Sequence, residues 1–446
     1  MIERLYQHPH LPFLVGFLGR LGVILLVGHY RGPTLWENGE IATSVVEGRG
    51  FVMGITGRLE PTSWQAPGYP YLLVGVWKLL GNGWPSYLLI SILQALAVSS
   101  VVYPLGWLAE RWFGRQAGVV AKWMVCGLPL FAWYPTRISQ VALAMSFFPW
   151  VVAGWIRLRA ESPRGLVLAV GLLTGLAGLF QPMILAALGI LVGILWVVAL
   201  VRGNRMAAGR MLMAGFATVL VLLPWTLRNF DIHGTIVPVK NSFGKEFWMG
   251  NNPNATGSSW APGGREEITS AFPPKCFAYR EQLSEMELFG AMQAEGMEFI
   301  RSDPSAFFVR TGQKIVWFWT IAPANLVRHS LGGEAVQFRI LHAGYWSLLV
   351  LLAAAGLVGA GLPREYGAVL ASFFVVYSVV YGLTHVGQAR YRGEMEFVLV
   401  PLAAAGIVAV ASRLWRAFRA PPSDSPTGVK GSGRLPDGTG SGQDSD

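Results

Sequence analysis

Three glutamates follow directly on the first long apolar run of the chain, in the stretch WENGEIATSVVEGRGF at residues 36–51. Apolar residues recur there at helical spacing, so Glu37 and Glu40 are predicted to lie one turn apart on one face of a short helix. A carboxylate in that position can act as a general base or help to hold a divalent cation. The alternative is that both are solvated charges near a helix N-terminus. Glu47 is interpreted as capping or solvating the following turn.

Three arginines are the candidates for binding an anion. Arg228 lies at the end of one apolar run, and Arg390 and Arg392 precede the last one. A guanidinium group can bind two phosphate oxygens at once through parallel hydrogen bonds. The alternative is that these side chains reach out to lipid headgroups, as basic residues at the ends of membrane spans commonly do. The sequence alone leaves both interpretations open.

The composition determines the class of protein that must position these residues. Hydrophobic residues make up 53% of the chain and charged residues 13%, whereas soluble proteins carry about a quarter charged residues. The apolar residues fall in runs of about 18–22, long enough to cross about 30 Å of hydrocarbon as helices. The net charge of +10 does not indicate a nucleic-acid partner, because most arginines lie in short loops between apolar runs. The sequence therefore predicts an all-α polytopic membrane protein.

Ten apolar runs are predicted to cross the membrane, and two further apolar stretches are not counted. Residues 69–80 are too few and are interpreted as a re-entrant or interfacial helix. Residues 305–321 contain Arg310 and Lys314, which favours a helix lying in the interface. Arg20, inside the first run, is expected to face the interior of the bundle, because a charge in lipid is costly. The ten runs are residues 11–30, 86–106, 117–134, 140–156, 165–180, 182–201, 211–227, 343–361, 367–384 and 394–412.

The basic residues predict the orientation of the chain. With a cytoplasmic N-terminus, the arginine clusters fall in cytoplasmic connections, as the positive-inside rule requires. Two long segments, 31–68 and 228–342, then lie outside, and loops of such length are commonly functional. Residues 1–412 are therefore predicted to form one transmembrane domain. Residues 413–446 are expected to be a cytoplasmic basic segment followed by a disordered tail that is rich in Gly, Ser, Pro and Asp.

Three stretches carry motifs of a known family. The first outside segment contains the pairs and runs Trp36-Glu37, Ile41-Ala42, Glu47-Gly48-Arg49-Gly50-Phe51, Pro61-Thr62-Ser63-Trp64 and Pro67-Gly68-Tyr69-Pro70. The second stretch, LPWTLRNFDIHGTIVPVKNSFGKEFWMGNNPNATG, covers residues 223–257, and a weaker third, QARYRGEMEFVLVPLAAAGI, covers 388–407. Together they resemble family 39 of the GT-C membrane glycosyltransferases, which includes protein O-mannosyltransferases using dolichyl-phosphate mannose and the lipid A aminoarabinose transferases. A departure from the family is Gln181, where many relatives carry a basic or small polar residue.

The resemblance implies a GT-C helical bundle with about ten spans in the inner (plasma) membrane of the cell envelope. It implies a polyprenyl-phosphate sugar as donor. The sugar would pass to a lipid-linked glycan, a polysaccharide or a protein acceptor on the non-cytoplasmic face. The alternatives are a transporter or flippase of polyprenyl-linked substrate and a non-catalytic relative. A transporter is less favoured, because no internal repeat is detected and the polar residues collect in the outside segments.

The resemblance also assigns roles to single residues. In this family an acidic residue of the first outside segment is essential, and Glu37 matches it best. Glu37 is therefore the predicted base, with Glu40 assisting or holding metal. A divalent metal ion is left open as a cofactor. Arg228, Arg390 and Arg392 are predicted to bind the phosphate of the donor, and Trp64 is predicted to stack on a sugar ring. Most of the other tryptophans are interpreted as membrane-interface residues.

Overall fold

The computed structural model describes residues 8–261, 266–320, 336–387 and 389–419, and these residues are overwhelmingly helical. The predicted disordered tail from residue 420 onward lies outside the described residues. The one sheet in the described part is a hairpin of β1 (Val52–Met53) and β2 (Glu60–Pro61). The helices of the first half are α1 Leu11–Val27, α2 Trp36–Val46, α3 Gly68–Leu80, α4 Trp84–Ser100, α5 Val102–Phe113, α6 Arg115–Gly127, α7 Pro129–Trp133, α8 Val141–Arg157, α9 Arg164–Phe180, α10 Met183–Val201 and α11 Arg205–His233.

The second half begins with short elements and returns to long apolar helices. Its helices are α12 Phe243–Gly250, α13 Ile268–Ala271, α14 Glu285–Ser302, α15 Pro304–Trp319, α16 Val336–Ala360, α17 Arg364–Thr384, α18 Ala389–Gly393 and α19 Val400–Arg419. A 3-10 segment, Lys275–Gln282, lies between α13 and α14. Another, Glu396–Leu399, leads into α19.

The predicted membrane spans correspond to helices of the structure. In the described part, six helices are long and apolar enough to cross a membrane, or eight if each of two bent pairs counts as one span. The bent pairs begin at Leu11 and Arg115, and the two remaining predicted spans are the apolar helices α8 and α9, of 17 residues each. The predicted class of all-α polytopic membrane protein is confirmed. The number of ten spans stays a prediction.

Arg20 faces the interior of the bundle, as predicted, and is 1% exposed. Its Nη2 donates to the carbonyl of Val125 at 2.6 Å, and its Nε donates to the carbonyl of Phe131 at 2.8 Å. In a continuous helix each carbonyl accepts a hydrogen bond from the N–H four residues later. For Val125 that residue is Pro129 and for Phe131 it is Pro135, and proline has no N–H to donate. Arg20 therefore satisfies two carbonyl groups that prolines leave without a donor at the bend between α6 and α7.

Helices α16 and α19 approach so closely that their backbones touch. A Cβ atom added to Gly406 would lie 1.9 Å from the carbonyl oxygen of Leu352, and one added to Gly356 would lie 2.0 Å from that of Leu402. Small residues at such crossings let the backbones of two membrane helices meet. The glycines are therefore required by the packing of this helix pair.

Replacing Gly406 by Ala is expected to destabilise the protein by about 1–3 kcal/mol, because the added methyl group forces α16 and α19 apart. Thermal unfolding of the purified protein in detergent measures the effect. Gly344→Ala, on α16, is the matched control, because nothing lies within 4 Å of its added Cβ. Equal unfolding temperatures for the two variants would contradict the close crossing.

Most of the two long segments that the sequence predicts outside the membrane, 31–68 and 228–342, packs together into one body in the described residues. This body is here called the cap (residues 28–67, 234–261 and 266–320). Its buried apolar cluster combines Phe51 and Trp64 from the first segment with Trp248 and Phe289 from the second. The predicted order of the first segment, a short helix followed by a turn and an apolar helix, is confirmed by α2 and α3. The β hairpin between them was not predicted. Helix α3 is 13 residues long, too short to span.

Candidate functional site

The start of α2 is the most unusual piece of backbone in the described residues. Trp36 has φ of 54°, and it is the one non-glycine residue there with a positive φ. A bulky residue in the left-handed region is strained, and such strain is concentrated at functional sites. Glu37 follows at once, half-buried, and in the described part of the chain it makes no hydrogen bond or ion pair. The neighbouring Asn38 is buried and donates to Oε1 of Gln140 at 3.0 Å.

The other two glutamates have structural partners. The exposed Glu40 accepts a hydrogen bond from the backbone N–H of Gly54 at 3.2 Å, which ties α2 to the β hairpin. Glu47 is the C-cap residue of α2 and forms an exposed ion pair with Arg49, as a capping role predicts. Of the three carboxylates, Glu37 is the one left without a partner in the described part.

Arg228 holds the first cap segment in place. Its Nη1 donates to the carbonyl of Thr62 at 2.6 Å, and its Nη2 donates to the carbonyl of Phe51 at 3.0 Å. Its guanidinium carbon also lies 4.7 Å from the centre of the Trp225 ring, a cation–π contact. Both carbonyls are neutral, so these contacts leave the positive charge without a carboxylate. Arg228 therefore crosslinks both strands of the hairpin region to the end of α11.

Arg392 is fully buried at the junction of α15, α16 and the segment before α19. Its Nε lies 3.2 Å from Oε1 of Glu396, and its Nη1 donates to the carbonyls of Phe318 and Thr320, both at 2.9 Å. The guanidinium also covers the Trp346 ring at 3.9 Å. Glu396 accepts a second partner, His342, at 3.0 Å.

These contacts make Arg392 a buried bridge between chain segments. The backbone of Arg390 lies in α18, two residues away, but its side chain is outside the described part of the chain. In the described residues, no hydrogen bond or ion pair joins Glu37 or Glu40 to Arg228 or Arg392.

Trp64 lies in the cap and lines a cavity of about 240 Å³. The ring is 8% exposed, packs edge-to-face on Phe289 with 5.7 Å between ring centres, and has the ammonium group of Lys245 4.4 Å from its centre. Trp64 therefore lies against a cavity with a cation beside it. Whether a sugar binds there stays a prediction.

A buried carboxylate joins the first cap segment to the second. Glu285, at the start of α14 and 1% exposed, accepts hydrogen bonds from the backbone N–H of Ser63 at 2.9 Å, from Oγ of Ser63 at 3.0 Å and from the hydroxyl of Thr62. Burial raises the pKa of this carboxyl, and the three hydrogen bonds offset part of the rise. The residues just before Trp64 are thus fixed from both sides, by Arg228 and by Glu285.

The sequence did not identify a carboxylate–imidazole pair in the cap. Oε2 of Glu246, in α12, lies 2.7 Å from Nδ1 of His385, at the end of α17. Burial would raise the pKa of the Glu246 carboxyl, but His385, Lys245 and Lys240 together lower it to about 2. The two residues are far apart in the sequence, so no spacing could have indicated the pair.

Lys314 is buried inside the cap instead of facing the membrane interface. Its Nζ lies 3.2 Å from both the carbonyl of Gly250 and Oδ1 of Asn251, in the turn Gly-Asn-Asn-Pro within the second family-like stretch, residues 223–257. Burial, helped by the charge of Arg310, lowers the pKa of Lys314 to about 7. The turn is therefore built around a buried lysine.

A divalent cation was left open by the sequence. In the residues that the structure describes, no three His, Cys, Asp or Glu side chains come together as a ligand set.

The bundle of apolar helices with one ordered cap is a fold shared with solved oligosaccharyltransferase structures, and this fits the predicted GT-C helical bundle. One similar structure is the archaeal oligosaccharyltransferase AglB from Archaeoglobus fulgidus, in complex with an inhibitory peptide and a dolichol-phosphate. The match covers 91% of this chain, with a TM-score of 0.51 and 12% sequence identity. The apo oligosaccharyltransferase of that organism gives a TM-score of 0.53 over 92% of this chain. The match covers 51% of the oligosaccharyltransferase, so this chain spans about half its length.

ArnT from Cupriavidus metallidurans, bound to undecaprenyl phosphate, is 16% identical over 92% of this chain and 81% of its own, with a TM-score of 0.41, too low to support an argument. No protein-family model and no curated protein sequence matches the chain. At these identities the similarity establishes the fold alone, and membership in family 39 stays a prediction.

Proposed function

We propose that this chain is an integral membrane glycosyltransferase that moves a sugar from a polyprenyl-phosphate donor to an acceptor at the non-cytoplasmic face. The observation that carries the proposal is the position of Glu37. It is a half-buried carboxylate, without a partner in the described part, directly after a strained Trp36 and at the base of the cap. The fold supports the proposal, because AglB, which shares it, has been captured with a dolichol-phosphate.

The proposed reaction requires one base and one anion site. The acceptor oxygen attacks the anomeric carbon of the sugar, and the bond from that carbon to the carrier phosphate breaks. The phosphate leaves with the bonding electron pair, and Glu37 accepts the proton that the acceptor releases. Phosphate is already a good leaving group, so the protein supplies a base and cations in place of an acid. Inversion at the anomeric carbon is implied by the family resemblance.

The arginines divide into two groups under this proposal. Arg390 is the proposed phosphate contact. The carbonyl contacts of Arg228 and the buried ion pair of Arg392 support positioning roles for these two side chains. Glu40, which accepts from the Gly54 amide, is proposed to hold the hairpin beside Glu37. The non-cytoplasmic side rests on the positive-inside pattern of the connections.

A transfer assay tests this function. The purified protein in lipid nanodiscs is incubated with a panel of polyprenyl-phosphate sugars and with lipid-linked glycan, polysaccharide and peptide acceptors, and mass spectrometry detects the product. We expect sugar transfer from at least one monophosphate donor, and parallel reactions with a chelator show whether a metal takes part. Binding of undecaprenyl phosphate without sugar is measured separately. A folded protein that neither transfers from any donor nor binds the carrier would contradict the proposal.

A further inference from the structure

The cap cavity is lined by residues of both cap segments and presents two cations that form no ion pair in the described residues. Lys245 comes from α12 and Arg280 from the 3-10 segment, and both are half-buried. Trp64, with its ring 4.4 Å from the Lys245 ammonium, forms one wall, and the hydroxyls of Thr269 and Ser270 line another. Ligand sites are lined mainly by apolar and aromatic side chains with a few polar groups that fix the orientation of the ligand, and this lining has that composition.

Neither acidic neighbour in the sequence forms an ion pair with these cations in the described residues. Glu246 lies 2.7 Å from His385 and feels the charge of Lys245 only at longer range, and the carboxylate of Glu281 lies beside Gly57. In the described part of the chain no ion pair neutralises Lys245 or Arg280, and the described lining contains no carboxylate. A cavity with partly desolvated cations and no acid carries a positive potential, which attracts an anion.

The geometry points to a binding site for an acidic sugar, a single monosaccharide unit that carries a carboxylate or a phosphate. The cavity of about 240 Å³ is smaller than the roughly 300–1,000 Å³ of pockets for drug-sized ligands, so it suits one ring. Trp64 would pack against the ring, while Arg280 and Lys245, whose ammonium lies over the Trp64 ring, would bind its anionic group. This inference rests on the proposed function, in which the bound unit belongs to the sugar-bearing acceptor.

Direct binding, which does not depend on transfer activity, tests the site. Saturation-transfer NMR on the protein in nanodiscs compares glucuronate and glucose 6-phosphate with glucose and with inorganic phosphate. We expect the two acidic sugars to bind at least about tenfold more tightly than glucose, because hydrogen bonds to charged groups are the stronger kind. Inorganic phosphate is expected to bind weakly, since it has no ring for Trp64.

The variants separate a charge effect from a folding effect. Lys245→Gln and Arg280→Gln are expected to remove the preference for acidic sugars, whereas Lys245→Arg keeps it. Lys275→Gln is the matched control, because this side chain is 80% exposed in the same 3-10 segment and pairs with Glu298 outside the cavity lining. Equal binding of glucose and glucuronate, or equal losses with Lys275→Gln, would overturn the inference. Transfer activity without acidic-sugar binding would refute this site and leave the proposed function standing.

Discussion

Replacing Glu37 by Gln is expected to lower the rate of sugar transfer by about 10²–10⁴-fold, because the amide keeps the shape of the side chain but cannot accept the acceptor's proton. The loss should fall on kcat with little change in KM, since proton transfer occurs in the transition state and contributes little to binding the donor. Transfer by the purified variant is measured beside the wild-type protein. The amount of folded protein should be unchanged, because Glu37 makes no hydrogen bond or ion pair in the described residues.

Two neighbouring carboxylates provide matched controls for Glu37. Glu47→Gln removes an exposed ion pair with Arg49, which is worth little, so transfer should stay within about twofold of wild type. Glu40→Gln keeps an oxygen that can accept from the Gly54 amide, so this variant should transfer sugar nearly as fast as Glu47→Gln. If Glu37→Gln transferred sugar as fast as Glu47→Gln, the role of Glu37 as base would be wrong. A transporter or a non-catalytic scaffold would tolerate all three substitutions.

The membrane spans could be predicted because each is a local property of the sequence. A run of about 18 apolar residues must form a helix to satisfy its backbone in lipid, whatever its neighbours are. The bends were less evident, although Pro129 and Pro135 mark the places where two carbonyls lose their donor. A buried arginine, Arg20, and two prolines that each leave a carbonyl without a donor are a sequence signal. Together they could have indicated that Arg20 donates to the carbonyls of Val125 and Phe131.

The candidate site was only partly predictable, because its contacts are non-local. Arg228 and the Phe51 carbonyl are 177 positions apart, and Arg392 and the Phe318 carbonyl are 74 apart. A sequence shows that an arginine needs an acceptor but does not show whether a backbone carbonyl or a ligand phosphate supplies it. For Arg228 and Arg392 the fold supplies backbone carbonyls.

Glu37 differs from these arginines in the kind of signal that points to it. It lies in a local motif, and the strain at Trp36 beside it is a property of the backbone that a spacing argument cannot reveal. Glu37 is therefore predicted as the base by resemblance, and the backbone strain beside it is an independent feature of the same place.

Replacing Arg20 by Ala is expected to destabilise the bundle by about 2–6 kcal/mol or more. Two buried carbonyls, those of Val125 and Phe131, would lose their donor at about 1–3 kcal/mol each, and the vacated side chain would leave a cavity. Prolines at positions 129 and 135 prevent the helix from replacing these hydrogen bonds with its own amides. Thermal unfolding in detergent measures the loss.

The comparison of Arg20→Lys with Ser99→Ala tests the reason for this loss. Lysine keeps the charge but not the planar fork, so it can reach one carbonyl well and should recover only part of the stability. Ser99→Ala removes the longest contact of Arg20, at 3.3 Å, and should cost much less than Arg20→Ala. If Arg20→Lys were as stable as wild type, the positive charge alone would be sufficient. The hydrogen bonds from the guanidinium to the carbonyls of Val125 and Phe131 would then not be what stabilises the bend. If Arg20→Lys is no more stable than Arg20→Ala, the fork is essential, and the bend between α6 and α7 depends on one side chain of α1.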